Sequence, residues 1–348
     1  MLARPAEVVH PRSVKLWSLQ VLRFWAALAV VHLHAVQRAM EATGEPGTLG
    51  LAGAVIGRAG VDVFFVLSGV IITLTARGLT PGEFAWKRAR RIAPLYLLLS
   101  APWIVLWMAA GPVDARELTA SVTLWPAFDR MAAPLLPVGW TLCFEALFYA
   151  AVTLILWRRW LVAPLLALWA TAAIVGAVPV FQFLGNPIIL EFLAGVALAF
   201  APRWQSLVWA LPAGIAAIVV GAALQWPPTG SALAFLRGDE AWVRLATLGV
   251  PAALIVAGAL QLRARPGVMA YLGDASYALY LVHPLVLLTI PVALKLTGAR
   301  VPPDVLIVTG MALSVVAAWR IHEAVEKPIL AHLSRRAIAP RLTPTSAD

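Results

Sequence analysis

The chain has 348 residues, 27 Lys and Arg against 17 Asp and Glu, a net charge of +10 and one cysteine. Apolar residues make up 61% and charged residues 13%, against roughly 25% charged in a soluble domain; this excludes an ordinary soluble fold and indicates a membrane protein built of apolar helices. A single cysteine, Cys143, excludes an intrachain disulfide, and the basic excess reads as loop charge facing the cytoplasm rather than nucleic-acid binding.

Residues 1–15 are mixed in character and contain Pro5, Glu7 and Pro11, so the start does not read as a cleavable signal peptide. A helix needs about 20 apolar residues to cross a bilayer. Apolar runs predict ten spans, at 16–36, 61–76, 92–110, 140–157, 161–179, 186–201, 207–224, 244–262, 275–294 and 304–321. Breaker residues separate several of them, as in GEPG (44–47), GLTPGE (78–83), PLLPVG (134–139), WPPTGS (226–231) and RARPG (263–267). With the N-terminus in the cytoplasm, cytoplasmic segments hold eighteen of the 27 basic residues, the opposite side eight, and the first span one, Arg23. That asymmetry predicts cytoplasmic termini and an even number of spans. The expected fold class is an all-α polytopic bundle, residues 1–330, with a short basic cytoplasmic tail at 331–348.

The first span carries RFWAALAVVHLH, from Arg23 to His34. Eleven residues at 100° each return to within about 20° of the start, with a rise of about 16 Å, so Arg23 and His34 share a face; His32 falls on the opposite one. Ionisable groups in a span usually face a polar interior. Read alone, Arg23 can also snorkel to the surface, with His34 in the outer interface.

GVDVFFVLSG (60–69) holds Asp62, read as a cap of the second span, and Ser68 and Gly69, which allow close helix approach. WKRARRIAPLY (86–96) places Arg88 and Arg91 about 60° apart on a helix. At a helix start beside free backbone N–H groups they can clamp phosphate oxygens, or they are an ordinary positive-inside cluster. GWTLCFEALFY (139–149) puts Thr141, Glu145 and Tyr149 on one face, with Trp140 at its start. Glu145 needs a partner at this depth, Arg23 or a histidine being the obvious candidates, whether for chemistry or to hold helices together. GDASYALYLVH (273–283) reads as Asp274 capping a helix whose Ser276, Tyr280 and His283 share a face beside Tyr277; an intramembrane histidine is equally often structural. Glu191 and Glu326 also fall near or in spans, with surroundings that do not discriminate their roles.

Taken in order, Arg23 and His34, GVDVFFVLSG, Arg88 and Arg91, the W-T-x-x-x-E of Trp140 to Glu145, and SYALYLVH resemble the membrane acyltransferase-3 family over nearly the whole chain. The second and fourth stretches look most like the branch that modifies exopolysaccharides. The resemblance implies a bacterial inner-membrane O-acyltransferase with acetyl-CoA or another acyl-CoA as donor. It implies a hydroxyl acceptor on an extracytoplasmic or lipid-linked polysaccharide or glycolipid, membrane lipids as the surroundings, and no metal. No extra C-terminal hydrolase-like domain of the kind some relatives carry is expected. Under this reading His34 takes the acceptor proton, Arg23 stabilises developing charge or orients the donor, and Glu145 pairs with Arg23 or orients His34. Arg88 and Arg91 hold the donor, while Trp140, Ser276, Tyr277, Tyr280, His283 and Asp62 are further residues lining the site. A covalent acyl-His or acyl-Ser route, through Ser276 for instance, is the alternative chemistry. The competing class is a proton-coupled transporter or a lipid or glycan flippase; broken helices in matching positions of two halves would argue for it.

Overall fold

A computed structural model describes residues 16–202, 205–224 and 230–336. Among these the chain is helical, with no strand. The first half comprises α1 (Trp17–Thr43), α2 (Gly50–Ala76), α3 (Pro81–Ala110), α4 (Ala115–Thr123), α5 (Trp140–Trp157), α6 (Val162–Val175), α7 (Pro179–Leu184) and α8 (Ile189–Phe200). The second comprises α9 (Ala210–Ala223), α10 (Ala232–Arg237), α11 (Ala241–Arg244), α12 (Val250–Ala259), α13 (Val268–Asp274), α14 (Ser276–Thr297), α15 (Pro303–Ile321) and α16 (Lys327–Arg336). π-helical turns join α11 to α12 at Leu245–Gly249 and α15 to α16 at His322–Glu326. The protein is a polytopic membrane helix bundle.

Among the described residues, eight helical segments are long and apolar enough to cross a membrane. The fifth and seventh expected spans fall on shorter apolar helices, Arg159–Val175 and Ser206–Gly221. Their α-helical parts, α6 and α9, have 14 residues each, or about 21 Å at 1.5 Å per residue, short of a hydrocarbon core of roughly 30 Å. The chain still returns across the bundle between α5 and α8, since α8 runs parallel to α2, with Gly69 against Gly195 and Arg77 over Phe200. The expected N-terminal segment 1–15 and most of the basic tail, 337–348, lie outside the described residues.

α1 lies at the centre, packed on α2, α13, α14 and α15. Small residues set its distance from α2: a Cβ on Gly60 would stand 2.4 Å from the Ala26 carbonyl oxygen. The Ser68–Gly69 stretch does allow close approach. Gly69 of α2 meets Gly195 of α8 so tightly that a Cβ there would reach 2.1 Å from the Phe192 carbonyl oxygen. An aromatic core of Phe65, Trp140, Phe144, Phe148, Phe183 and Phe192 joins α2, α5, α7 and α8.

Two capping expectations give way to packing. Asp62 is not a cap: α2 begins twelve residues earlier at Gly50, so Asp62 lies inside the helix and is fully buried. Asp274 ends α13, and Ala275 occupies the N-cap position of α14. α3 likewise begins at Pro81, where Thr80 and Glu83 form a reciprocal capping box. The free N–H groups of α3 are therefore more than a turn away from Arg88 and Arg91.

Candidate active site

Two cavities lie end to end along α1. The first, about 130 Å³, opens at the end where α1 and α14 begin, and is lined by Arg23, Ser68, Arg88, Arg91, Thr141, Glu145, Tyr149, Ser276, Tyr277 and Tyr280. The helical period brings these groups together. Thr141, Glu145 and Tyr149 share a face of α5, and Ser276 and Tyr280 a face of α14. The Tyr149 hydroxyl donates to Glu145 Oε1, and Ser68 Oγ donates to the same oxygen at 3.4 Å. Glu145 thus takes hydroxyl donors from its own helix and α2, rather than a direct bond from Arg23 or a histidine. Arg23 Nη1 donates to Gln20 Oε1 at 3.3 Å, one turn back on α1. Arg88 donates to Thr75 and lies over the rings of Phe84 and Tyr149 at 5.4 and 5.6 Å. Arg91 forms an ion pair with Glu326 and lies over Tyr277 at 5.6 Å. Glu326 also binds His322 Nδ1 at 2.6 Å, and both sit in the π-helical turn, a device that re-aims side chains and recurs at functional sites.

The second cavity, about 300 Å³, lies toward the other end of α1 and is lined by His34, Gln37, Arg58, Val138, Trp140, Phe235, Arg244 and Tyr280 among others. Val61 and Tyr280 line both cavities. The Tyr280 hydroxyl and Thr141 Oγ1 are 2.8 Å apart, and both lie within hydrogen-bond distance of the Val138 carbonyl oxygen. This partition holds the two chambers apart with groups that can re-pair. His34 Nδ1 meets Gln37 Oε1 at 2.8 Å. The His34 ring stacks on His283, with centroids 5.2 Å apart. His283 is fully buried; its Nδ1 donates to the Leu279 carbonyl at 3.0 Å, and its Nε2 has no partner among the described residues. Pro284 has no N–H to give the Tyr280 carbonyl, so α14 lacks that helix hydrogen bond beside His283.

The shared face of Arg23 and His34 places both toward the interior, but in different chambers. His32 packs on the opposite side, against Gly53 of α2. Asp62 lines neither cavity. It forms a two-point ion pair with Arg244, at 3.0 Å to Nε and 2.7 Å to Nη2, just behind the second chamber. Arg244 in turn lies over Phe235 at 4.7 Å and Trp140 at 5.9 Å. Sequence reading missed Arg244, counting it as a loop charge, and also Gln37 and Arg58. A signal for Arg244 existed: a carboxylate inside a span demands a cation, and Arg244 opens a predicted span on the side Asp62 occupies. Nothing comparable marks Gln37, an ordinary residue of a helix end.

Residues 16–323 match the acyltransferase domain of a protein family described by that name. The chain is similar to the exopolysaccharide production protein ExoZ of Rhizobium meliloti, 34% identical over 316 residues, covering 83% of this chain and 93% of that protein. It is similar to the acyltransferase MdmB of Streptomyces mycarofaciens at 28% identity over 380 aligned positions, 94% of each chain. No solved structure matches it.

Proposed function

The chain belongs to the acyltransferase family whose domain it matches over residues 16–323, and from that membership we propose that it moves an acyl group, acetyl first among candidates, from cytoplasmic acyl-CoA to a hydroxyl of a cell-surface or lipid-linked polysaccharide at the bacterial inner membrane. The observation that carries this reading is the pair of chambers meeting at Tyr280 and Val61, one holding Arg23, Arg88 and Arg91 beside Glu145 and the other holding His34. The likeness to an exopolysaccharide production protein supports the choice of acceptor. The charge count supports cytoplasmic termini, which turns the arginine chamber to the cytoplasm and the histidine chamber outward.

In this mechanism Arg88 and Arg91 bind donor phosphates by charge-assisted hydrogen bonds. The thioester reaches the Tyr280 partition from the cytoplasmic side, and the acceptor hydroxyl enters beside His34. His34 Nε2 accepts the hydroxyl proton as the oxygen attacks the thioester carbonyl carbon. Arg23, on the donor side of the partition, orients the acyl-CoA. The C–S bond then breaks, and the CoA thiolate leaves with the proton that His34 took. Glu145, held by Tyr149 and Ser68, balances the arginines of the donor chamber.

The test is transfer from radiolabelled acetyl-CoA by the purified protein in vesicles with extracted exopolysaccharide as acceptor, together with the acetyl content of glycans from deletion and wild-type strains. Reporter fusions after Asp348 and near Pro134 read the orientation. Reporters on the same side overturn the arrangement, and a protein that carries glycan across vesicles without cleaving the thioester is a transporter.

A further inference from the structure

A third cavity lies beside the first, bounded by α2, α5, α6 and α8, with a volume of about 760 Å³. It exists because α6 packs mainly on α7 and stands off from α5 and α8. Phe148, Val152, Leu166 and Leu193 represent its walls, which are apolar along most of their length. A gap of this size between membrane helices, with walls that reject water, is filled by hydrocarbon.

Its charged lining is confined to one end. Arg77, just past the end of α2, and Arg159, just past the end of α5, both line the cavity. Arg77 lies over the ring of Phe200 at 5.5 Å, and Phe200 itself lines the cavity. Among the described residues no acidic side chain lines it. Trp157 and Trp160 flank Arg159 and are exposed, which sets this end at the level of lipid headgroups, where indoles collect. Further in, Trp169 lines the cavity with its indole nitrogen buried and without a partner among the described residues. Apolar walls closed at one end by two cations match a molecule with a long hydrocarbon part and an anionic head.

We propose that this cavity binds a membrane lipid with a phosphate headgroup, its chains along α5, α6 and α8 and its phosphate between Arg77 and Arg159. The site is separate from the two chambers above. Neither arginine lines them, and the cavities share only the wall residue Ile72. The proposal therefore stands whether or not the transfer reaction does.

The experiment uses the full-length protein in nanodiscs of phosphatidylcholine doped with a photoactivatable phosphatidylglycerol or, separately, a photoactivatable phosphatidylcholine. Peptides from 140–175 and 189–200 should be labelled by the phosphatidylglycerol probe roughly tenfold more than by the zwitterionic one, as two basic side chains at a membrane surface provide. Arg77→Ala with Arg159→Ala should bring the two probes to parity, while the double Lys variant keeps the excess. Leu166→Trp, which narrows the cavity, should lower labelling by both probes in these peptides but not in α15. Equal labelling by the two probes in the wild type, or an excess that survives the double Ala variant, overturns the proposal. Loss of the excess on adding inorganic phosphate alone also overturns it, since the site would then recognise a free anion.

Discussion

The Nδ1 atom of His34 lies 2.8 Å from Oε1 of Gln37, one turn further along α1. An amide oxygen only accepts, so Nδ1 carries the hydrogen and Nε2 is the basic nitrogen. Gln37 thus fixes the tautomer, a task that a carboxylate performs in many hydrolases. His34→Ala is expected to lower acyl transfer by about 10²–10⁴. Gln37→Ala should give a smaller loss, mostly in turnover, with Gln37→Glu recovering part of it by restoring an acceptor. His32→Ala, whose ring faces Gly53 on α2, should stay close to wild type. The readout is acetyl content of the native glycan against protein level in the same cells; equal losses at both histidines would show that His34 is the wrong residue.

Arg88 and Arg91 stand on one face of α3 in the arginine chamber. Changing both to Ala is expected to weaken acyl-CoA binding at least tenfold, since a hydrogen bond to a charged group contributes about 1.5–3 kcal/mol. Glu326→Ala should weaken it less, because Arg91 loses the carboxylate that holds it. Calorimetric titration of purified protein with CoA tests both. Unchanged affinity in the double variant would leave the arginines as topological anchors only.

The Asp62–Arg244 pair is almost fully buried, with side chains 0% and 5% exposed. Removing one partner strands the other charge, at a cost of about 3–5 kcal/mol. Arg244→Ala and Asp62→Ala should therefore each lower the thermal midpoint in detergent markedly. Asp62→Leu with Arg244→Met should recover most of the loss. A double variant as unstable as the singles would mean that the pair's geometry, and not charge stranding, sets the stability.

Between α3 and α5, Asp114 caps α4 and pairs with Arg116 and Arg130, while Arg116 also holds Asp129. The Arg116 backbone N–H and then the Arg130 side chain hold the Asp114 carboxyl below its usual range. The Arg116 guanidinium holds Asp129 down to about 2. A carboxylate with a depressed pKa in the folded state adds stability above its unfolded value of about 3.9 and loses it as pH falls through the folded value. Amide protection over 114–131, taken relative to the intrinsic exchange rate at each pH, should therefore be unchanged down to about pH 4 and fall toward pH 2, with the membrane helices still protected. The effect should be small and screened by salt, since these are exposed pairs. A loss of protection that begins near pH 6 would point to other groups.

Much of the bundle was legible because the signals are local. Hydropathy over twenty residues marks a span wherever it packs, and the 100° step per residue put Thr141, Glu145 and Tyr149 on one face before any neighbour was known. The same arithmetic separated His34 from His32. Cap readings failed for a complementary reason. Asp62 and Asp274 stand where capping residues often stand, but continued packing of α2 on α1 extends the helix past the first, and α13 takes in the second.

What the sequence by itself determined is the class of fold, the family and the small set of ionisable residues that a membrane interior has to accommodate. Only the tertiary structure decided who meets whom. Asp62 and Arg244 are 182 residues apart, Arg91 and Glu326 are 235 apart, and the stacked His34 and His283 lie on different helices. Spacing along a chain fixes angles within one helix and carries no distance between two. That distance comes from close approaches such as Gly60 to Ala26, which set how near α2 stands to α1 and which of its faces turns inward. The same packing divides one predicted stripe on α1 into two chambers, because Tyr280 of α14 reaches between Arg23 and His34.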